Sequence, residues 1–257
     1  MSLVILKKQD LHDFVNRLTQ NYRVGGPVQK NGGFAFETIE DPAALRLDYT
    51  TTILPPKKFL LPVKETLIEY EDASNGKLKS PPEEQPTVIF GVHTCDVHAI
   101  QLLDHVFHTG QPDPNYVKRR KQTTIVSIEC LSPCDANSFC KSMGTLTAEE
   151  GFDVHLVDLG DVYAMDVASD KGLELMKHAQ AFPASMADIH RLNAVLSEKW
   201  PRFPYRLDFD ISDLPSLLNM SMKSPLWAEL GERCLACAAC TNVCPTCFCF
   251  DAQDNLT

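Results

Sequence analysis

The stretch that decides the fold runs TVIFGVHTCDVHAIQLLDHVF, Thr87 to Phe107, and is completed by TTIVSIEC, Thr123 to Cys130. TVIFGV (Thr87–Val92) is an unbroken apolar run, the mark of a strand buried on both faces. Val97, Ile100, Leu103 and Phe107 then recur at helical spacing, and TTIVSIE (Thr123–Glu129) is a second buried strand. Strand, helix and strand within about 40 residues make a βαβ unit, so the two strands are expected to be parallel and close together. Cys95 follows the first strand and Cys130 ends the second. Both therefore fall at the carboxyl edge of the sheet, where α/β folds place their sites.

Working outward, Gln9 to Tyr22 carries Leu11, Phe14, Val15 and Leu18 at helical spacing, with Asp10 as an N-cap. Val24–Val28 and Phe34–Ile39 flank Asn31-Gly32-Gly33, a hairpin signal, and Leu45–Ile53 alternates like a third strand. Glu71 to Pro86 is polar and proline-rich, a surface excursion. The basic run Lys118, Arg119, Arg120, Lys121 follows a proline- and asparagine-rich turn and reads as a solvated face, as do Lys57, Lys58 and Lys64. Phe152–Asp158 and Val162–Ala168 flank Leu159-Gly160-Asp161, a second hairpin. Gly172–Phe182, Met186–Trp200 and Ile211–Leu230 read as helices. The expected class is thus α/β, a mixed sheet with a βαβ unit in residues 1–182. A helical segment at 183–230 and a ferredoxin-like segment at 231–257 follow.

Composition narrows the function. With 44% apolar and 23% charged residues the chain reads as a globular protein with a sizeable core. A net charge of −10 argues against nucleic acid as a partner. No apolar run reaches membrane-spanning length, and MSLVILKKQDLHDF places its lysines after the apolar run, the wrong order for a secretory signal. A cytoplasmic location is expected. Disulfide frameworks belong to small secreted domains, so the 10 cysteines point instead to metal or redox chemistry. No glycine-rich phosphate-binding motif is present.

Six of those cysteines lie in CLACAACTNVCPTCFCF, Cys234 to Phe250. Cys234, Cys237, Cys240 and Cys244, followed by Pro245, reproduce the bacterial ferredoxin run for a [4Fe–4S] cluster. In that run three cysteines wrap one cubane and the fourth serves another. Zinc also takes C-x₂-C pairs, but as two separated pairs rather than four cysteines in succession. Three ligands without a fourth, and a fourth cysteine without its own cluster, leave the site open within these residues. Either a further segment beyond Thr257 or another chain completes it, and the expectation is the further segment. Cys247 and Cys249 either fold back as a ligand or pack beside the cluster.

Cys95, Cys130, Cys134 and Cys140 form the second set, four thiols for a second [4Fe–4S] cluster. Cys134 and Cys140 stand on LSPCDANSFCKSMG, a loop long enough to curl over the sheet edge. His93, Asp96 and His98 flank Cys95, where a histidine is more often a hydrogen-bond donor to a cluster than a ligand. The bland alternative is four buried structural thiols.

With both sets in view, ILPPKKFLLPVKETL (Ile53–Leu67), GVHTCDVHAI, ECLSPCDANSFCKSMGT, GFDVHLVDLGDVYAMDVAS and CLACAACTNVCPTCFCFD resemble the iron–sulfur beta subunit of cytoplasmic sulfhydrogenases. They resemble equally the corresponding iron–sulfur component of anaerobic sulfite reductase. The resemblance runs in order from about Ile53 onward and is weak before it. It implies an electron-transfer subunit of an oxidoreductase complex, without a catalytic residue of its own. One implied partner is a flavin subunit exchanging electrons with NAD(P)H. The other is a catalytic subunit of hydrogenase, sulfite reductase or sulfur reductase type. The implied cofactors are one [4Fe–4S] cluster in the α/β domain and one or two in the carboxy-terminal segment. A zinc-bearing interaction module and a cluster-based redox sensor are the competing functions.

Overall fold

The computed structural model describes residues 2–67, 69–70, 78–79 and 85–253. Among these, ten strands occur: β1 (Ser2–Lys7), β2 (Arg23–Lys30), β3 (Gly33–Thr38), β4 (Glu69–Tyr70), β5 (Leu78–Lys79), β6 (Thr87–His93), β7 (Thr123–Ile128), β8 (Val154–Asp158), β9 (Val162–Val167) and β10 (Phe182–Pro183). Eight of them form one sheet in the order β10-β1-β9-β8-β7-β6-β2-β3, while β4 and β5 pair with each other. The centre, β8-β7-β6-β2, is parallel, and antiparallel pairs close both sides. The sheet is therefore mixed, as expected.

The helices are α1 (Leu11–Thr19), α2 (Thr94–His108), α3 (Pro114–Gln122), α4 (Asp170–Met176), α5 (Met186–Lys199), α6 (Leu214–Ser221), α7 (Pro225–Arg233) and α8 (Ala239–Val243). Phe14, Val15 and Leu18 of α1 and Leu175 of α4 pack with Val88, Phe90, Val126 and Leu156 on one face of the sheet. Val97, Ile100 and Leu103 of α2 and Tyr116 of α3 pack with Ile89, Val92 and Ile125 on the other. Leu192, Val195 and Leu196 of α5 extend that second layer over Ile5, Val157 and Ala164. β6 and β7 are buried at every position, which is why they read as continuous apolar runs.

The βαβ unit forms as expected, with β6 and β7 parallel neighbours and α2 between them in sequence. Both hairpins form too. Asn31 and Gly32 take φ values of 49° and 80° between β2 and β3, the left-handed pair that a two-residue turn requires. β8 and β9 pair antiparallel around Gly160.

Several elements differ from expectation. The helix expected over Gly172–Phe182 runs instead from Asp170 to Met176, and Phe182 belongs to β10. Leu45–Ile53 is not a strand; its ladder pairing with the sheet is limited to the isolated bridges Val28–Leu45 and Phe34–Thr52. Its alternation has another cause: Leu45 faces the first core and Tyr49 the second, as the chain crosses the sheet's rim. The amino terminus is a strand, β1, seated between β9 and β10. The basic run lies on helix α3, whose start is capped by the Asp113 carboxylate accepting from the Asn115 and Tyr116 amides, both at 2.8 Å. Arg119 on it is buried, with its guanidinium on Glu65 and the Leu60 carbonyl, and Arg120 holds Asp104 at 2.9 Å. Half of that run is therefore structural. Most of Glu71–Pro86 lies outside the described residues.

Candidate functional site

The site grows from an irregularity in β6. Register with β7 shifts between Phe90 and Val92, leaving Gly91 bulged at φ +77°. Up to Phe90, residues alternate between the two cores; after the bulge, Val92 returns to the side of Ile89. One inserted residue thus reverses which face each following side chain takes, the usual consequence of a one-residue slip. Gly91 is required twice over, because a Cβ there would lie 2.6 Å from Leu47 in a conformation L-residues rarely adopt. Its carbonyl accepts the Tyr49 hydroxyl at 2.7 Å. Tyr49 in turn lies flat on the buried His93, ring centroids 4.0 Å apart and planes 4° from parallel. Burial pushes His93 down to about 4, so its imidazole is neutral at pH 7.

α2 begins immediately after His93 and brings Cys95 into its first turn. Cys130 stands two residues past the end of β7, after Glu129, and the loop beyond it carries Cys134 and Cys140. The Cys134 thiol donates to the Thr50 carbonyl at 2.8 Å, which fastens this loop to the Tyr49 segment. The Thr94 hydroxyl stands 3.1 Å from the Leu146 carbonyl and 4.0 Å from the Cys130 sulfur. The Thr145 amide and hydroxyl both reach the Cys140 carbonyl, at 3.0 and 3.3 Å. A cleft of about 170 Å³ opens between Tyr49, Thr50 and His93 on one wall and Cys130, Pro133 and Cys134 on the other.

These four thiols feel one another. Burial raises the pKa of every one of them, Cys130 to about 12 and Cys95 further. Repulsion adds to this: Cys95 is raised by Asp96 and by all three partners, and Cys130 by Cys134 and Cys140. Yet Cys95 is solvent-accessible and the other three are half-buried, as in a concave site open at one side. Four thiolates cannot accumulate there without a cation among them, and metal ligation requires them deprotonated. Burial also lifts Asp96, to about 7. His98 is held by the Thr147 carbonyl at 2.7 Å, so its ring is committed to the loop backbone. Among the described residues no three histidine, cysteine or carboxylate side chains converge closely enough to hold a single metal ion. Four thiolates around one zinc stand about 3.8 Å apart, given Zn–S bonds near 2.3 Å.

The carboxy-terminal set is the more open of the two: Cys234, Cys237 and Cys240 are exposed and Cys244 is half-buried. The loop between Cys234 and α8 is wound tightly, with Ala236 and Ala238 both left-handed at φ 50° and 57°. Each such alanine costs roughly 1–3 kcal/mol, and strain of this kind gathers at ligand clamps. No packing compensates it locally, because the residues from 231 to 240 are all exposed. The Ala236 amide points at the Cys234 sulfur at 3.4 Å. The Cys244 thiol lies 3.2 Å from the Thr246 hydroxyl, which lowers its pKa.

Directly behind Cys130 lies a buried polar chain that the sequence pattern does not reveal. The Ser127 hydroxyl lies 2.7 Å from His155 Nδ1, and His155 Nε2 lies 2.8 Å from the Glu129 carboxylate. The other carboxylate oxygen takes the Lys199 ammonium, whose side chain is only 1% exposed. Burial holds His155 down at about 4. The imidazole is thus neutral, with Nε2–H donating to Glu129 and Nδ1 accepting from Ser127.

The geometry defines a class: an α/β protein with four thiols on the carboxyl edge of its parallel strands and a cysteine-rich segment after them. Comparison with known proteins makes it particular. The chain is 35% identical over 255 residues to sulfhydrogenase 2 subunit beta of Pyrococcus furiosus, covering 99% of this chain and 75% of that protein. The chain belongs to the sulfhydrogenase beta subunit family. No protein-family model matches it, and no solved structure does.

Proposed function

We propose that this chain is the electron-relay subunit of a cytoplasmic oxidoreductase complex of sulfhydrogenase type. In this reading Cys95, Cys130, Cys134 and Cys140 hold one [4Fe–4S] cluster. Cys234, Cys237 and Cys240 hold another, and Cys244 serves a further one. The ferredoxin-like character of residues 231–257 is part of the same proposal. The observation that carries it is the gathering of four mutually repelling thiols at one open sheet edge. The strained Cys234–Cys240 loop supports the second site independently.

When bound, such a cluster takes up and returns one electron without breaking a bond. The chain's own residues do the rest. The Gly91 bulge aims the start of α2 so that Cys95 meets Cys130. The Cys134–Thr50 bond ties the ligand loop to the cleft wall, and the Thr94 hydroxyl lies close to the Cys130 sulfur. The neutral His93–Tyr49 stack walls one side of the cleft. The name of the relative, a sulfhydrogenase subunit, supports membership of a complex. We take the partners to be a flavin subunit that exchanges electrons with NAD(P)H and a catalytic subunit of hydrogenase, sulfite reductase or sulfur reductase type. Leu217, Leu218, Met220, Trp227 and Leu230 on α6 and α7 are exposed, as expected of a protein that buries apolar surface against others. Among the described residues no helix is long and apolar enough to cross a membrane.

Anaerobic purification with iron, acid-labile sulfide and zinc determinations tests this function. Brown protein with iron and sulfide in equal amounts, bleached by dithionite, is expected. Colourless protein carrying zinc would make the chain a structural module instead.

A further inference from the structure

Two adjacent lysines behave differently in the short 3₁₀ helix Pro56–Phe59. Lys58 meets Glu37 at 3.0 Å, an ordinary surface pair. Lys57 is buried, and its ammonium donates to the carbonyl oxygens of Thr241 at 2.7 Å and Cys247 at 2.9 Å. These carbonyls bracket Cys244, 184 and 190 residues further along the chain. The rim of the sheet is therefore bonded to the middle of the carboxy-terminal cysteine segment. Phe248 adds a second tie, meeting Phe107 of α2 edge to face at 5.8 Å.

Among the described residues the Lys57 ammonium has no carboxylate partner. Two carbonyls take two of its three N–H groups without balancing its charge, and a buried cation is costly unless a counter-charge is supplied. The groups able to supply that charge here are the thiolates of the segment to which these two carbonyls belong. An apolar residue here would leave both carbonyls without this donor, so the position combines a docking bond with a fixed positive charge.

We propose that Lys57 is a positioning residue of the carboxy-terminal iron–sulfur site: it fixes the loop around Cys244 by its two carbonyl bonds and holds a permanent cation against the backbone on either side of that cysteine. The inference rests on the reading of these cysteines as cluster ligands and adds to it the residue that sets their potential. Each one-electron reduction, with the electron supplied by a partner protein or by dithionite in the assay, adds one negative charge to the cluster and its thiolates. A fixed cation favours that reduced form and raises the potential.

The test is an EPR-monitored dithionite titration of the anaerobically purified protein, comparing wild type with Lys57→Met, Lys57→Arg and Phe248→Ala. Lys57→Met with wild-type iron content should shift one signal to more negative potential, by about 59 mV for a tenfold change in its oxidised-to-reduced ratio. The signal abolished by Cys95→Ser should not move. Lys57→Arg, which keeps the charge, should stay at the wild-type potential. Phe248→Ala loosens the docking without altering charge and should produce no negative shift. An unchanged or more positive midpoint in iron-replete Lys57→Met overturns the proposal, as does a negative shift in Phe248→Ala equal to that of Lys57→Met. Should Lys57→Met fail to retain iron, Lys57→Arg decides alone: wild-type iron and potential support the role, and a lowered potential overturns it. A wild-type protein free of iron would overturn the cluster assignment itself, a result distinct from any of these.

Discussion

Replacing Lys199 with methionine tests the buried chain behind Cys130. Lys199 closes α5, and its ammonium contacts Glu129 while also donating to the Leu146 carbonyl at 3.3 Å. The two side chains are 1% and 3% exposed, so water cannot replace either partner. Removing the ammonium leaves a buried carboxylate with only the neutral His155 donor at 2.8 Å. Breaking such a pair from one side costs about 3–5 kcal/mol, against a total stability of roughly 5–15 kcal/mol for a typical domain. At about 2–4 °C per kcal/mol for a chain of this size, the melting temperature should fall by roughly 6–20 °C. Adding Glu129→Gln removes the stranded charge and keeps an acceptor for His155, so the double variant should recover much of the loss. Denaturant unfolding followed by circular dichroism measures both. A single variant within about 1 kcal/mol of wild type, or a double variant no better than the single, would refute the assignment of this pair as a buried ionic strut.

Acid should weaken the same region. His155 titrates near 4 in the fold and near 6.5 when unfolded, so between those values the unfolded chain binds the extra proton. Its contribution, roughly 3 kcal/mol, is complete above pH 6.5 and is lost as pH falls through 4. The unfolding free energy of His155→Gln should therefore depend less steeply on pH across that window than the wild type's; identical slopes would contradict it. Gly91→Ala should cost at least about 1–2 kcal/mol from its left-handed backbone alone. It should also lower iron bound through Cys95 more than iron bound by the carboxy-terminal segment, because it displaces the bulge that aims α2. Equal loss from both sites would show that the bulge does not position Cys95.

The parts of this fold legible in the sequence are those where one local rule acts alone. The apolar runs of β6 and β7 can only be strands buried on two faces, and Asn31-Gly32 can only turn tightly. From these the sheet edge bearing Cys95 and Cys130 follows. Leu45–Ile53 misleads because alternation also arises when a non-strand segment crosses a rim and touches a core on each side, as Leu45 and Tyr49 do. Arg119 and Arg120 look solvated in the sequence because nothing local marks Glu65 and Asp104 as their partners. The Ser127–His155–Glu129–Lys199 chain spans elements 70 residues apart and leaves no periodic trace. Lys57 reads as surface for the same reason, since its acceptors are backbone carbonyls near the far end of the chain.

The most direct measurement is iron and acid-labile sulfide per chain, with EPR of the dithionite-reduced protein, in the wild type, Cys95→Ser, Cys134→Ser and Cys237→Ser. Cys95→Ser and Cys134→Ser should each remove or convert the same one cluster, about four irons, and leave the carboxy-terminal signals intact. Cys237→Ser should do the reverse. Unchanged iron and an unchanged spectrum in Cys95→Ser and Cys134→Ser would contradict the claim that the sheet edge holds a cluster.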